Sequence, residues 1–400
     1  MPGLEQTTAL LGRLRRQGEA FAKTGDEGGS GRMTEVPKFG SNPGALRMLS
    51  YVPEGLQPGA PLVVVLHGCT QRAEAHAVAG GWLTLADRYG FVVVAPEQTP
   101  ANNPNRCFNW YEAGDQARGR GEAASIRAMV AHAVRQHGLD AERVYVTGLS
   151  AGGAMTCVML ATYPEVFAGG GVVAGLPFGV ADTLQAALGA MMGGADRSST
   201  DLGDRVRRAA PRGGRVPRLS IWHGDADGTV KPSNATEIAK QWASAHGLAA
   251  RPSATETLTG RTRSIWRAPG TGEVLIESNL LKGFGHATPL ATRGADGVGT
   301  AAPYMLEAGV SSSLEIARFW GIADESALRA TPARATTVQA SAEPAPPSRS
   351  FTPAADERPA PGAESAPGIG DQIMATVSPH VPAGVQDVIA KALKSAGLMR

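Results

Sequence analysis

The chain has 400 residues, of which 42% are hydrophobic and 18% are charged, so it can bury a sizeable core. Its formal net charge of +2 argues against a nucleic-acid-binding protein, for which a basic patch or stripe is typical. No apolar run approaches the roughly 18 residues that a membrane-spanning helix needs, and the N-terminus lacks the apolar core of a secretory signal.

The predicted elements begin with an amphipathic helix over 4–24 and a linker rich in Gly, Ser and Pro, which together occupy 1–44. Over 45–325, apolar β-rich segments alternate with helical patterns. Continuous apolar strands separated by helices predict a mostly parallel sheet covered on both faces, which is a doubly wound α/β domain. The strand segments are PLVVVLHG, FVVVAPEQ, RVYVTGLS, VFAGGGVVAG and RLSIWHGDAD, and the helical patterns lie at 77–89, 122–137, 152–162 and 233–246.

Three alternating segments follow, at 255–258, 262–268 and 273–279, and predict two or three strands that complete the sheet. A closing amphipathic helix is predicted over 310–322. Residues 326–370 are dominated by Ala, Pro, Ser and Thr, and a segment so poor in large apolar residues predicts a disordered linker. Residues 371–400 regain helical periodicity and predict a short C-terminal helical segment.

Ser150 lies in the sequence GLSAG, directly after a predicted strand and directly before a predicted helix. Gly-x-Ser-x-Gly in this setting is the nucleophile-elbow pattern, in which a sharp turn raises the serine hydroxyl above the sheet. Glycines suit the turn because a Cβ atom there would clash with the neighbouring strand and helix. A small-residue turn that serves packing alone is the alternative interpretation.

A serine nucleophile needs a histidine base and a carboxylate that orients it, in the chain order Ser, acid, His for this architecture. Of the four histidines after Ser150, His286 lies in the glycine-rich loop KGFGHATP after the last predicted strand, which favours it as the base. His223 is predicted to be structural, His246 to be solvated or capping at a helix end, and His380 lies beyond the predicted linker.

The acid is predicted in the loop IWHGDADGTV, which follows a strand and contains Asp225 and Asp227. Spacing alone does not choose between these two carboxylates, and either can instead cap the next helix. The oxyanion hole needs two backbone N–H groups. We assign one to Ala151, immediately after the nucleophile, and the other to Cys69, in the turn after strand VVVL. His67 is predicted to brace that turn by hydrogen bonding.

Together these residues resemble the poly(3-hydroxybutyrate) depolymerase family of esterases, a group with the α/β-hydrolase fold that is related to feruloyl and acetylxylan esterases. The resemblance covers most of 45–322 and is far more specific than a lone Gly-x-Ser-x-Gly. The matching stretches are LHGCTQ (66–71), NRCFNWYEAGDQARGRGEAASI (105–126), RVYVTGLSAGGAMTCVMLATYPEVFAGGGVVAGLPFG (143–179), HGDADGTV (223–230) and GFGHATPL (283–290).

The resemblance implies Asp227 rather than Asp225 as the acid, because the family pattern H-G-x-x-D-x-x-V matches His223 to Val230. It also implies a disulfide between Cys69 and Cys107, and with it an extracellular or periplasmic location, although the absence of a visible signal also allows a cytoplasmic one. Cys157 is expected to be a buried small hydrophobe.

Trp110 and Tyr111 follow Cys107 closely, so a disulfide would place them near the mouth of the site, where they can contact the acyl chain. Ordinary core packing is the alternative for both. The segment after the predicted linker is too short for the separate substrate-binding domain of secreted depolymerases, which argues against crystalline polymer as the substrate. Soluble or amorphous oligoesters and plant phenolic esters are the remaining alternatives.

The sequence therefore predicts a serine esterase that hydrolyses 3-hydroxybutyrate esters or oligomers through an acyl-enzyme, with Ser150, Asp227 and His286 as the triad. A feruloyl or acetylxylan esterase is the alternative of the same fold, and a catalytically silent binding module is the alternative from another class. The chemistry requires no cofactor, and no Cys/His cluster has metal-ligand spacing. The expected partner is an ester substrate, with no nucleic acid and no membrane span.

Overall fold

A twisted sheet of ten strands is the central feature of the protein, whose computed structural model describes residues 31–193, 197–211 and 214–324. All these residues belong to one of the two compact units into which the chain divides. The predicted N-terminal helix (4–24), linker (326–370) and C-terminal segment (371–400) lie outside the described residues.

Strands and helices alternate through most of the described chain. The strands are β1 (Thr34–Glu35), β2 (Arg47–Tyr51), β3 (Leu62–Leu66), β4 (Val92–Glu97), β5 (Val144–Leu149), β6 (Gly169–Val173), β7 (Arg218–Gly224), β8 (Ala254–Leu258), β9 (Arg261–Arg267), β10 (Val274–Leu281), β11 (Thr288–Leu290) and β12 (Met305–Glu307). The helices are α1 (Ala73–Ala79), α2 (Trp82–Tyr89), α3 (Gly121–His137), α4 (Ala151–Thr162), α5 (Leu184–Met191), α6 (Ser199–Ala209), α7 (Ser233–Ala245) and α8 (Ser312–Trp320).

The strand order in the sheet is β1-β2-β4-β3-β5-β6-β7-β10-β9-β8. The six central strands from β4 to β10 run parallel, while β1 and β2 at one edge and β9 and β8 at the other are antiparallel. β11 and β12 form a separate two-stranded parallel sheet. The predicted α/β-hydrolase fold with a mostly parallel, doubly wound sheet is confirmed.

Helices cover both faces of the sheet, so each apolar strand is buried on two sides. In β3 every residue is buried, and its side chains alternate between two hydrophobic clusters: Leu62 and Val64 belong to one, Val63 and Val65 to the other. The first cluster includes residues of α3 to α7, and the second includes residues of α1, α2 and α8. Burial on both faces is why these strands are continuous apolar runs rather than alternating ones.

One predicted helix is divided in the structure. The pattern at 77–89 predicts a single helix, but the chain turns between α1 and α2, where Gly81 has a left-handed φ of 81°. A Cβ atom on Gly81 would lie 2.5 Å from the carbonyl oxygen of Val298. The left-handed φ and the close approach of another loop therefore both require glycine at this break, and a local sequence pattern does not contain the information on that loop.

None of the helices in the described part of the chain has the length and apolarity that a bilayer span requires.

Candidate active site

Ser150 occupies the sharp turn between β5 and α4. Its backbone has φ 56° and ψ −116°, a conformation that costs a non-glycine residue on the order of 1–3 kcal/mol. Two hydrogen bonds hold it: the Ser150 N–H donates to the carbonyl of Val173 at 2.9 Å, and the Ser150 carbonyl accepts from the N–H of Ala154 at 2.9 Å. The strand–turn–helix setting that the Gly-x-Ser-x-Gly pattern requires is therefore present.

Two glycines let this turn pack directly against the end of β3. A Cβ atom on Gly152 would lie 2.3 Å from the carbonyl oxygen of Leu66 and 2.6 Å from that of His67. A Cβ atom on Gly148 would lie 2.5 Å from the carbonyl carbon and oxygen of Gly152. Only residues without a side chain allow this approach, which brings the turn at Ser150 next to the loop that carries Cys69.

Asp227 and His286 are in direct contact. The Oδ2 atom of Asp227 lies 2.7 Å from the Nδ1 atom of His286, so the carboxylate can hold the ring with Nδ1 protonated and Nε2 free to accept a proton. The Asp227 side chain is fully buried and the side chain of His286 is 9% exposed. A buried acid behind a slightly exposed imidazole is the arrangement that a catalytic base requires.

Asp227 stays ionised in this buried position because several donors surround it. Its Oδ1 accepts from the N–H groups of Thr229 at 2.8 Å and Val230 at 2.9 Å, and its Oδ2 lies 3.3 Å from Nε2 of His223. Burial alone raises the pKa of the carboxyl, but the hydrogen bonds from His223, His286 and Val230 outweigh it and lower the pKa overall.

His223 is a partner of the acid that the sequence interpretation did not assign to the site. Its Nε2 atom lies 2.9 Å from the carbonyl oxygen of Val230, which can only accept, so Nε2 carries the proton and can also donate to Asp227. The H-G-x-x-D spacing was the available signal, since it places His223 at the end of β7 and four residues before Asp227, which lies in the following loop.

The loop that carries His286 is hydrogen-bonded to the loop that carries Asp227. The N–H of Asp225 donates to the carbonyl of Leu281 at 2.9 Å, and that of Ala226 to Phe284 at 3.0 Å. The Asp225 carboxylate accepts from the N–H of Gly283 at 2.6 Å. Of the two carboxylates that spacing left open, Asp227 contacts the histidine, whereas Asp225 fixes the loop.

Ser150, Asp227 and His286 follow the carboxyl ends of β5, β7 and β10, which are parallel and lie within four consecutive strands of the sheet. All three residues therefore lie at the same sheet edge, where ligands bind in open α/β sheets. Across the described ranges, Ser150 and His286 share no hydrogen bond. Such bonds are often long in enzymes without substrate and tighten when substrate is bound.

Two N–H groups are available beside the serine. The Ala151 N–H begins α4, where helix geometry leaves it without an acceptor. In the loop after β3, the N–H of Gly68 donates to Oε1 of Gln71 at 2.8 Å and that of Thr70 to the carbonyl of Asn105 at 2.7 Å. Within the part of the chain that the structure describes, the Cys69 N–H between them has no acceptor, as an oxyanion donor requires.

His67 braces this loop, as the sequence predicts. Its Nε2 accepts from the N–H of Gln98 at 3.1 Å, so its proton is on Nδ1, which donates to the carbonyl of Gly68 at 2.8 Å. Burial lowers the pKa of this imidazole, which favours the neutral form that both contacts need. A catalytic base requires a free nitrogen, and both nitrogens of His67 are occupied.

A disulfide joins Cys69 to Cys107, as the resemblance implies. It links the loop after β3 to the segment after β4 at the position of the free N–H group. Cys157, in α4, is a buried free thiol whose pKa burial raises to about 12.

Glu122 is a second buried acid, and it holds the segment that carries Cys107. Its carboxyl oxygens accept from Nε2 of Gln98 and from the N–H and Nδ2 of Asn109, the last two at 2.9 Å each. Burial and the nearby Asp115 raise its pKa to about 8. No sequence signal identifies Glu122, because an acid in the first turn of a helix is ordinary.

The two predicted substrate-binding aromatics differ in exposure. Trp110 is 5% exposed and belongs to the hydrophobic core, while Tyr111 is partly buried against the same core. Their rings pack edge to face, with centroids 5.5 Å apart.

Among the described residues, no group of three or more His, Cys, Asp or Glu side chains is arranged to hold a metal ion.

Comparison with known proteins identifies close relatives of this chain. The family described as Esterase PHB depolymerase matches residues 46–265. The chain is 44% identical over 292 residues to poly(3-hydroxyalkanoate) depolymerase C of Paucimonas lemoignei, and the match covers 72% of this chain and 70% of the relative. It is 33% identical to an acetylxylan esterase of Coprinopsis cinerea, over 65% of this chain and 70% of that protein.

A solved structure of an acetyl xylan esterase from Aspergillus awamori has a similar fold. The two chains are 30% identical with a TM-score of 0.59, and the match covers 64% of this chain and 93% of the other.

Proposed function

Because the chain belongs to the esterase family of poly(3-hydroxybutyrate) depolymerases and is a carboxylic ester hydrolase, we propose that it hydrolyses short-chain polyhydroxyalkanoate esters with Ser150, His286 and Asp227 as its catalytic triad. The 2.7 Å contact between Asp227 and His286, at the sheet edge that carries the strained Ser150, is the observation that supports this most strongly. The 44% identity to a poly(3-hydroxyalkanoate) depolymerase supports the substrate class.

The first half of the reaction acylates the serine. His286 Nε2 takes the proton of the Ser150 hydroxyl as Oγ attacks the ester carbonyl carbon, and Asp227 stabilises the resulting imidazolium. The carbonyl oxygen becomes an oxyanion, which the N–H groups of Cys69 and Ala151 bind. When the tetrahedral intermediate collapses, the bond from carbon to the alcohol oxygen breaks, and His286 gives its proton to that oxygen.

The second half releases the acid. A water molecule loses a proton to His286 and attacks the acyl-serine carbonyl, and the same two N–H groups bind the second oxyanion. Collapse returns the proton from His286 to the Oγ atom of Ser150 and frees the carboxylic acid. No step needs a cofactor, because the serine, the imidazole and the backbone donors supply nucleophile, proton transfer and charge stabilisation.

The proposed acyl-group contacts and the proposed cellular location both follow from the Cys69–Cys107 disulfide and the residues next to it. We place Trp110 and Tyr111 beside the acyl group, with the partly exposed Tyr111 as the direct contact and the buried Trp110 as its edge-to-face support. A disulfide persists in oxidising compartments, so the Cys69–Cys107 bond favours an extracellular or periplasmic location.

Acetylxylan or feruloyl ester hydrolysis is the second candidate function. Its support is the 33% identity to an acetylxylan esterase and the TM-score of 0.59 with another. The same triad and oxyanion hole would serve all these esters, so the substrate pocket decides among them.

Specificity constants on three substrates separate these functions: the 3-hydroxybutyrate trimer, acetylated xylo-oligosaccharide and methyl ferulate. We expect the highest kcat/KM on the trimer, with Ser150→Ala as the blank for each substrate. A higher kcat/KM on acetylated xylan or ferulate would replace the proposed substrate class and keep the triad. If none of them, nor an activated ester, were hydrolysed, the chain would be a binding module.

A further inference from the structure

Tyr304 has an unusual backbone conformation for a bulky residue. Its φ is 61°, in the left-handed region that favours glycine. Hydrogen bonds on both sides fix it there: the Tyr304 carbonyl accepts from the N–H of Thr288 at 2.8 Å, and the N–H of Met305 donates to the carbonyl of Ala302 at 2.9 Å. Strained residues of this kind are concentrated at functional sites, so the position of the side chain has to be considered.

The Tyr304 ring packs against the ring of His286. Their centroids lie 6.2 Å apart, and the ring planes make an angle of 78°, which is an edge-to-face contact. The ring is partly buried in the same hydrophobic cluster as Phe284, which belongs to the His286 loop. Both the ring and the main chain of Tyr304 therefore contact the segment that carries His286: the ring packs on His286, and the carbonyl accepts a hydrogen bond from Thr288.

The residue before Tyr304 is tied to the opposite side of the site. Nε2 of Gln71 donates to the carbonyl of Pro303 at 3.2 Å, and Oε1 of the same side chain accepts from the N–H of Gly68. Gln71 therefore connects the oxyanion loop with the segment 303–304. This segment spans from the loop of the proposed oxyanion donor to the loop of the proposed base.

We propose that Tyr304 contacts the leaving alcohol and determines which alcohols the enzyme releases. This rests on the proposed role of His286. When the bond from carbon to the alcohol oxygen breaks, His286 gives its proton to that oxygen, so the alcohol departs beside the imidazole ring. We therefore place the Tyr304 ring, which packs on this imidazole, beside the alcohol rather than the acyl group. The apolar surface of Tyr304 suits an aliphatic hydroxyacyl unit better than a small alcohol such as methanol.

Two esters of one acid isolate the alcohol side. The 3-hydroxybutyrate dimer and methyl 3-hydroxybutyrate give the same acyl-enzyme but release 3-hydroxybutyrate and methanol respectively. Tyr304→Ala should lower the ratio of kcat/KM for dimer over methyl ester about 10-fold, as expected for a lost apolar contact to one substrate part. Tyr304→Asn should do the same, and asparagine tolerates a positive φ, so its backbone is not strained.

Three controls define the result. Tyr304→Phe should keep the wild-type ratio, because the ring remains. Tyr89, at the end of α2, is another partly buried tyrosine that packs against the same hydrophobic cluster, and Tyr89→Ala should also keep the wild-type ratio. The ratio of methyl 3-hydroxybutyrate to methyl 3-hydroxyhexanoate, which varies only the acyl group, should be unchanged in the Tyr304 variants.

An unchanged dimer-to-methyl ratio in active Tyr304→Ala and Tyr304→Asn would overturn the inference and leave the proposed function intact. A change in the acyl ratio instead would place Tyr304 on the other side of the site and also overturn it. If the wild type hydrolysed none of these esters, the proposed function and this inference would both fall.

Discussion

At the scale of single residues, Asp227 can remain ionised in its buried position only because its negative charge is compensated. Asp227 is fully buried, and a buried carboxylate is costly unless hydrogen bonds surround it. Both oxygens have donors, from the backbone of its own turn and from two histidines. The folded state thus favours the charged form of Asp227, so this carboxylate should contribute to stability and, as the proposed acid of the triad, also to the rate.

Replacing Asp227 by Asn should lower kcat about 10³–10⁴-fold, because an amide no longer stabilises the imidazolium and disturbs the tautomer of His286. Asp225→Asn is the matched control: that carboxylate accepts from Gly283 and does not contact the histidine, so its kcat should fall less than about 10-fold. Equal losses in the two variants would contradict the assignment of the acid.

The same carboxylate predicts a pH dependence of stability. The pKa of Asp227 is lowered in the folded state, so its contribution is present above its unfolded pKa of about 3.9 and is lost as pH falls through the folded value. The difference in unfolding free energy between wild type and Asp227→Asn should therefore shrink from about pH 6 to about pH 3. Denaturant unfolding at several pH values measures it, and a constant difference would show that Asp227 is not preferentially ionised when folded.

Sequence could identify Ser150 and His286 as candidates because each has a local pattern, a glycine-flanked turn and a glycine-rich loop. It could not choose between Asp225 and Asp227, which lie two residues apart in one loop. Their roles follow from hydrogen bonds to residues 281–286, nearly 60 positions away. Glu122 and Tyr304 have no local pattern at all, since their environments are created by long-range packing.

At the scale of elements, the loop after β3 is fixed from several sides. The disulfide joins it to Cys107, Glu122 holds the segment on that side through Asn109, and Gln71 joins it to Pro303. Closing the 38-residue separation can stabilise the fold by about 4 kcal/mol on the loop-entropy account. The bond also restrains the Cys69 N–H, so its reduction should affect rate as well as stability.

Thiol counting tests this arrangement. The native protein should expose no reactive thiol, because Cys157 is buried and its thiol pKa is raised to about 12. Denaturation without reductant should reveal one thiol, and denaturation with reductant should reveal three. Cys157→Ser should show no thiol when denatured without reductant and two thiols when denatured with reductant. Three thiols in the denatured, unreduced protein would contradict the disulfide.

At the scale of the whole molecule, the two helical layers and the sheet depend on close approach at β6. The three glycines of this strand (169–171) let helices approach it from both faces: a Cβ atom on Gly170 would lie 2.4 Å from Leu160 of α4, and one on Gly171 would lie 2.7 Å from Ile316 of α8. Trp320 completes the α8 contact by stacking on Tyr145 and Trp82.

Trp320→Ala should therefore destabilise the protein strongly, by about 3–5 kcal/mol, as large truncations in a packed core do. Its kcat should stay within about 3-fold of wild type below the melting temperature, since Trp320 packs on a face of the sheet and not at the carboxyl ends of the strands, where the proposed triad lies. Leu258→Ala, at an exposed position of the edge strand β8, is the control with little expected effect. A large loss of kcat without a loss of stability would contradict this separation.

The central sheet could be predicted from sequence because its strands are continuous apolar runs of β-branched residues, as in β3 and β4. At the antiparallel edges, β8 and β9 were predicted within one residue of their observed bounds, whereas β1 and β2 were not predicted. β8 is mostly exposed, and pairing with β9 fixes its place in the sheet. The pair β11 and β12 joins segments 15 residues apart, and its three-residue strands carry too little pattern to be predicted.

Acid release from the soluble 3-hydroxybutyrate trimer, measured for the wild type and for Ser150→Ala, tests the account most directly. We predict turnover by the wild type and none by the variant, with the two proteins equally folded by circular dichroism. Turnover by Ser150→Ala within a few-fold of the wild type would contradict Ser150 as the nucleophile. No turnover by the wild type would contradict the proposed substrate class.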